Sequence, residues 1–265
     1  MSATPVLRRA LREGGRGALG WGIAVVGVLM LYLPLYPSIG ANGQMQEIIE
    51  TLPEGMVNAL GYDQIGTGAG YTQATFYGLI GFFILTAAAV AWCSDAIAGA
   101  EENGRLELDL AHGVGRQSYL YQAAGGVLLR LVLLAVIAGL VVLGLNSPAQ
   151  LGIEPIHILG ASLALLGVTA LSGALALLVG ALSGRRTWAL GAGAGIAVLS
   201  YAVNAVANQS PDLDWLHTLS PYSWAYRTPP LAEGVAAGGL IALWVGVAVL
   251  TAAAAVALRR RDVVG

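Results

Sequence analysis

Lysine is missing altogether from this chain of 265 residues, whose 13 basic residues are all arginine. A phosphate-binding loop needs a lysine beside a serine or threonine to hold the nucleotide, so that route to ATP hydrolysis is closed. The chain has one cysteine, Cys93, which excludes an internal disulfide and leaves no partner for a thiolate metal site. Among apolar neighbours it reads as a buried, inert thiol. The histidines, His112, His157 and His217, are far apart and make no HExxH pair, and no paired aspartates interrupt an apolar run. The chain is therefore read as not an enzyme, binding no cofactor or metal of its own. Charge is scarce as well, at 11% against roughly 25% in soluble domains. No basic cluster has aromatics interleaved, so no nucleic-acid partner is expected.

What the chain has instead is 57% hydrophobic residues and a mean hydropathy of +0.72, with 37 glycines. Its charges cluster between long apolar runs, the pattern of a membrane protein. A hydrocarbon core of ~30 Å needs about 20 apolar residues per helix. Six runs qualify: Ala18–Tyr36, Gln73–Cys93, Leu120–Leu145, Ile156–Leu182, Thr187–Ala207 and Ala236–Leu258. The first is too long for a cleavable leader and reads as a retained span. No soluble domain separates the runs, so residues 1–265 read as one transmembrane domain.

An even number of spans puts both termini on one side, and arginine placement says which. Arg8, Arg9, Arg12, Arg16, Arg105, Arg116, Arg185, Arg186, Arg259, Arg260 and Arg261 fall on the terminal side, against Arg227 alone on the other. The positive-inside rule then places both termini in the cytoplasm and the chain in the plasma membrane. Arg130 lies inside the third run. A charge there should snorkel toward the cytoplasm or face the bundle interior. Gly191 and Gly195, four residues apart in the fifth run, read as a small-residue packing face. In the first outer loop, Met45, Ile48, Ile49, Leu52, Met56 and Leu60 recur at helical spacing with Pro53 interrupting, which suits a short surface helix.

The most informative stretch runs from Ala100 to Arg116. Leu106, Leu108, Leu110 and Val114 are set among Glu107, Asp109 and Arg116, after the acidic pair Glu101 and Glu102. That pair would favour the first turn of a helix. Spacing alone allows either a short helix that docks in a partner's groove or an ordinary interfacial loop.

The order Ile97-Ala-Gly-Ala-Glu-Glu-Asn-Gly-Arg-Leu-Glu-Leu followed by Arg116 resembles the coupling segment of ABC-2 type transporter permeases. Other pieces match in order: Gly20-Trp21-Gly22, Tyr36-Pro37, Leu219-Ser-Pro-Tyr222, Pro230-Leu231 with Gly234, and Arg260-Arg-Asp-Val263. Two departures stand out. Gly113 occupies a place where that family usually has proline, and Gln122 one where lysine is common.

The resemblance implies an all-α integral membrane fold of six transmembrane helices, with an N-terminal amphipathic elbow helix over Pro5–Gly17 and a short cytoplasmic coupling helix. It implies the permease subunit of an exporter, paired with a second copy or a related permease chain among membrane lipids. A separate ABC ATPase would carry ATP and Mg. Coupling would fall to Glu101, Glu102, Gly104, Leu106, Glu107 and Arg116. The substrate pathway, along the second and fifth spans, would include Thr75, Phe76, Phe82, Phe83, Tyr201 and Asn204. The apolar and aromatic character of those spans points to a hydrophobic or amphipathic cargo: a drug, an antibiotic, a lipid or a peptide. Rival readings are a membrane subunit for metalloenzyme maturation, or a secondary transporter, which should carry paired ionisable groups at mid-bilayer.

Overall fold

The computed structural model of the protein describes residues 4–39, 51–53, 55–57, 62 and 64–261. Inside a bilayer every backbone N–H and C=O must find an internal partner, which leaves helices as the solution for apolar runs of this length. Among the described residues all the regular structure is helical. A short α1 (Pro5–Glu13) precedes the first long helix, α2 (Gly15–Ile39), which narrows to a 3-10 turn at Pro34. Then follow α3 (Gly68–Glu102), the short α4 (Arg105–Ala111), α5 (Arg116–Asn146), α6 (Pro155–Ser183) and α7 (Arg186–Ala207). After a 3-10 stretch at Pro211–Leu219 come the short α8 (Pro221–Tyr226) and α9 (Pro230–Glu233), and finally α10 (Ala237–Arg260). The six helices α2, α3, α5, α6, α7 and α10 are each long and apolar enough to cross a membrane. Of the expected outer-loop stripe, Met45, Ile48, Ile49 and Leu60 lie outside the described residues.

Helix α3 overruns the expected Gln73–Cys93 at both ends. The Thr67 hydroxyl accepts from the Gly70 amide at 3.0 Å and caps its start. It then continues through two π-helical stretches, Gln73–Ile80 and Asp95–Gly99, and stops only where Gly104 turns left-handed at φ +69°. The acidic pair Glu101 and Glu102 therefore closes this helix; the expectation that it opens the next one is corrected. The reason is that a helix ladder need not end where the apolar residues end. Here it ends where a residue with positive φ breaks it, a conformation glycine reaches without Cβ strain.

α6 is the hub. It packs against α3, α5, α7 and α10, and 78% of its most apolar window is buried. Such contact needs small side chains, because helices in lipid associate through close backbone approach. A Cβ on Gly173 would sit 3.1 Å from the Cys93 sulfur, and one on Gly193 of α7 would meet Val90 at 2.8 Å and Ala176 at 2.9 Å. The expected packing pair, Gly191 and Gly195, has nothing within 4 Å. Two residues turn an α-helix through about 200°, so the face carrying Gly193 is buried and the face carrying Gly191 and Gly195 points outward. Cys93 is buried, as its neighbours suggested.

Candidate functional site

The segment 100–116 lies on the face that gathers α1, the turn between α6 and α7, and the end of α10. Gly104 and Gly113, at φ +69° and +85°, bracket α4 as left-handed hinges. Proline holds φ near −65° and could not take the place of Gly113 in this conformation. Leu106 points inward and is fully buried, while Leu108 is 62% exposed. Their separation of two residues puts them on opposite faces of α4.

The polar side chains of the segment tie distant helix ends together. Glu101 forms an ion pair with Arg261, just past α10. The Glu102 carboxylate accepts from the Arg186 amide at 2.8 Å, capping the positive N-terminus of α7. Arg116 donates to the Arg261 carbonyl at 2.7 Å, where α10 leaves its last carbonyls without partners. On the same face Arg105 donates to Asp95 at 3.2 Å. Arg9 of α1 donates to both oxygens of Asp109, one of them at 2.8 Å. α4 and its flanks are therefore bound to α1, α3, α7 and α10. Glu107 is half-buried beside the exposed Leu108, Ala111 and His112.

Gln122 explains how α1 is held. Its amide oxygen accepts from the Val6 and Leu7 amides at 3.1 and 3.3 Å, both in the first turn of α1, where N–H groups lack helical partners. A lysine has no acceptor to offer. α1 is amphipathic as expected: Val6 is buried, Leu7 and Ala10 face Gly126 of α5, and Arg8 and Arg12 are exposed.

The six residues assigned to a pathway lie toward the opposite face. Thr75 bonds back to the Tyr71 carbonyl at 2.6 Å. Phe76 and Phe82 are buried inside the bundle, whereas Phe83 is 37% exposed and meets the half-buried Tyr201 with ring centres 5.7 Å apart. Tyr222 of α8 joins both groups, 5.1 Å from Phe82 and 5.2 Å from Tyr201. Its hydroxyl donates to the Gly78 carbonyl at 2.7 Å, within the first π-helical stretch of α3. Asn204 is buried and accepts from Ser223 at 2.8 Å, and Ser223 also meets the His217 ring at 3.0 Å. The segment 211–226 thus bridges α3 and α7 at this end of the bundle.

Sequence reasoning missed most of the partners: Asp95, Asp109, Arg186 and Arg261 at one face, Tyr222 and Ser223 at the other. Glu101 and Arg261 are 160 residues apart, Arg9 and Asp109 100, and Glu102 and Arg186 84, and spacing in a single sequence carries no signal at that range. Arg9 and Asp109 could have been suspected only as opposite charges on two short amphipathic helices.

Compared with known protein families, residues 5–263 match the profile described as ABC-2 family transporter protein. No curated protein matches the chain.

Proposed function

The chain belongs to the ABC-2 family of transporter proteins, and from that premise we propose that it is the permease half of an exporter driven by a separate ATPase. The face carrying α1 and α4 is cytoplasmic, in keeping with eleven arginines on that side and Arg227 on the other. Two permease chains pair, and two ATPase chains dock below them. The ATPase takes hold of the exposed side of α4, at Glu107, Leu108, Ala111 and His112. Gly104 lets α4 swing as a lever. Leu106, seated in the core, carries the movement into the bundle. Glu101, Glu102 and Arg116 pass it to α10 and α7. Cargo moves along the α3–α7 face, where Phe83 and Tyr201 offer aromatic edges and Thr75 and Asn204 lie nearby; Phe76 and Phe82 support that wall from behind. An apolar wall with few polar groups suits a hydrophobic or amphipathic compound.

The observation that carries this reading is the arrangement of α4, with one apolar residue outward and the other locked inward among tethers to several spans. Buried interface centres favour apolar anchors ringed by polar groups. Replacing Leu108 by glutamate should leave thermal unfolding of the permease unchanged and release a co-expressed ATPase from it during purification. Full retention of the ATPase by Leu108→Glu would overturn the assignment of this surface.

A further inference from the structure

Beneath α1 lies a cavity of about 370 Å³ walled by α1, the Gly14–Gly17 junction, α3 and α5. Three guanidinium groups face it: Arg9, Arg105 and Arg130. Two of them have carboxylates, Asp109 and Asp95 respectively. Arg130 has none among the described residues. Its Nε donates to the Gly126 carbonyl at 3.1 Å, and its guanidinium carbon lies 4.7 Å above the Trp92 ring. That leaves the terminal nitrogens of a half-buried, permanently charged group turned to the cavity, against the glycine junction. A Cβ on Gly14 would come within 2.6 Å of one of them.

Depth says what could neutralise this charge. From Val127 to Leu145, α5 is about 28 Å long at 1.5 Å per residue, which matches a hydrocarbon core of ~30 Å. Helical side chains lean toward the N-terminus, so the Arg130 head sits a turn above its own Cα, at the level of Gly126 and the amphipathic α1. That is the level of lipid head groups, where tryptophan and tyrosine also concentrate; Trp92 and Tyr119 line the same cavity. Arginine holds phosphate oxygens in a planar, two-pronged grip.

We propose that this cavity binds the phosphate of an anionic phospholipid, with Arg130 as its principal contact and Trp92 and Tyr119 flanking the head group. Asp95, paired with Arg105, lies on the α3 wall one turn from Trp92 and disfavours a ligand of high negative charge, so a phosphodiester fits better than a phosphomonoester. The proposal needs only that the chain is embedded in a membrane. It does not depend on which face is cytoplasmic or on what is transported.

The test is native mass spectrometry of the purified full-length chain, exchanged against equal amounts of phosphatidylglycerol and phosphatidylcholine. The wild-type protein should retain phosphatidylglycerol in preference. Arg130→Gln should lower that retention on the order of tenfold, while Arg227→Gln, on the far face, should not. Should Arg130→Gln fail to fold, the wild-type preference between the two lipids decides by itself. Equal retention of both lipids, or no loss in a folded Arg130→Gln, would overturn the site. Displacement of the lipid by millimolar glycerol 3-phosphate would reassign the cavity to a soluble phosphate and overturn its lipid occupant.

Discussion

At the scale of single residues, what decides a side chain's role is the partner it finds. Gln122 stands where a lysine would have looked equally plausible on an interfacial helix, yet its acceptor oxygen serves two amides of α1. Gln122→Lys should therefore free the first turn of α1, at a cost of about 1–2 kcal/mol. Hydrogen exchange over residues 5–13 would rise sharply, with exchange in α6 unchanged. His217 gives a pH-dependent counterpart. Burial is the main reason its pKa falls below the usual 6.5, Arg227 adds to the effect, and Asp214 opposes it. A lowered histidine pKa means the unfolded chain binds the proton more readily. Stability is thus complete above the ordinary imidazole value of about 6.5 and is lost as pH falls from there through the folded value. The 211–226 segment should loosen in mildly acidic buffer, and His217→Asn should flatten that dependence in thermal unfolding measured from pH 7.5 to 5.

At the scale of elements, packing in lipid depends on which face of a helix is small. Gly193 sits against Val90, Ala176 and the Ser172 carbonyl, all closer than 3 Å to a Cβ placed there. Gly193→Ala should force α7 away from α6 and lower stability by about 1–3 kcal/mol. Gly191→Ala and Gly195→Ala meet nothing and should leave unfolding in detergent unchanged. α4 shows a related division of labour. Its inward residue, Leu106, belongs to the core, and its outward residue, Leu108, does not. The acidic pair before it acts at the end of one span and the start of another. Removing the Glu102 carboxylate should cost about 1 kcal/mol, the usual value of a helix cap, and should be felt at α7. A measurable loss of protection at Arg186 and Thr187 in Glu102→Ala, with α4 itself unaffected, is the expected result.

At the scale of the whole molecule, six spans follow from length and hydropathy, and the proposed orientation rests on the arginine count. Cysteine labelling on a Cys93→Ala background should find positions on α4 reactive only from the cytoplasm and position 212 only from outside. Labelling of α4 in intact cells by an impermeant reagent would reverse the proposed orientation. The two faces are also built differently. One is a web of ion pairs and helix-end contacts around α4. The other is a chain of aromatic rings, from Phe83 through Tyr201 to Tyr222 and Tyr226, backed by short hydrogen bonds. A charged web can rearrange where water reaches it, and packed rings resist such movement.

The sequence by itself determined the number of spans and their helical state, while the amphipathic α1 and the short helix after the second span came from the family resemblance. Span number and helical state depend on local quantities: apolar run length against bilayer thickness, and residue type against helical period. It did not determine where α3 ends, since a helix outlasts its apolar residues until a backbone such as that at Gly104 stops it. It did not single out Gly193 as the glycine of α7 that packs within the chain, because a spacing of four marks a face without saying what lies opposite. Only the tertiary structure showed that Glu101 reaches Arg261, that Glu102 caps α7, and that Arg130 meets Trp92 and Gly14 at the edge of a cavity. Those contacts join residues from 38 to 160 positions apart. At such separations the packing of helices around α6, and no local rule, decides which side chains meet.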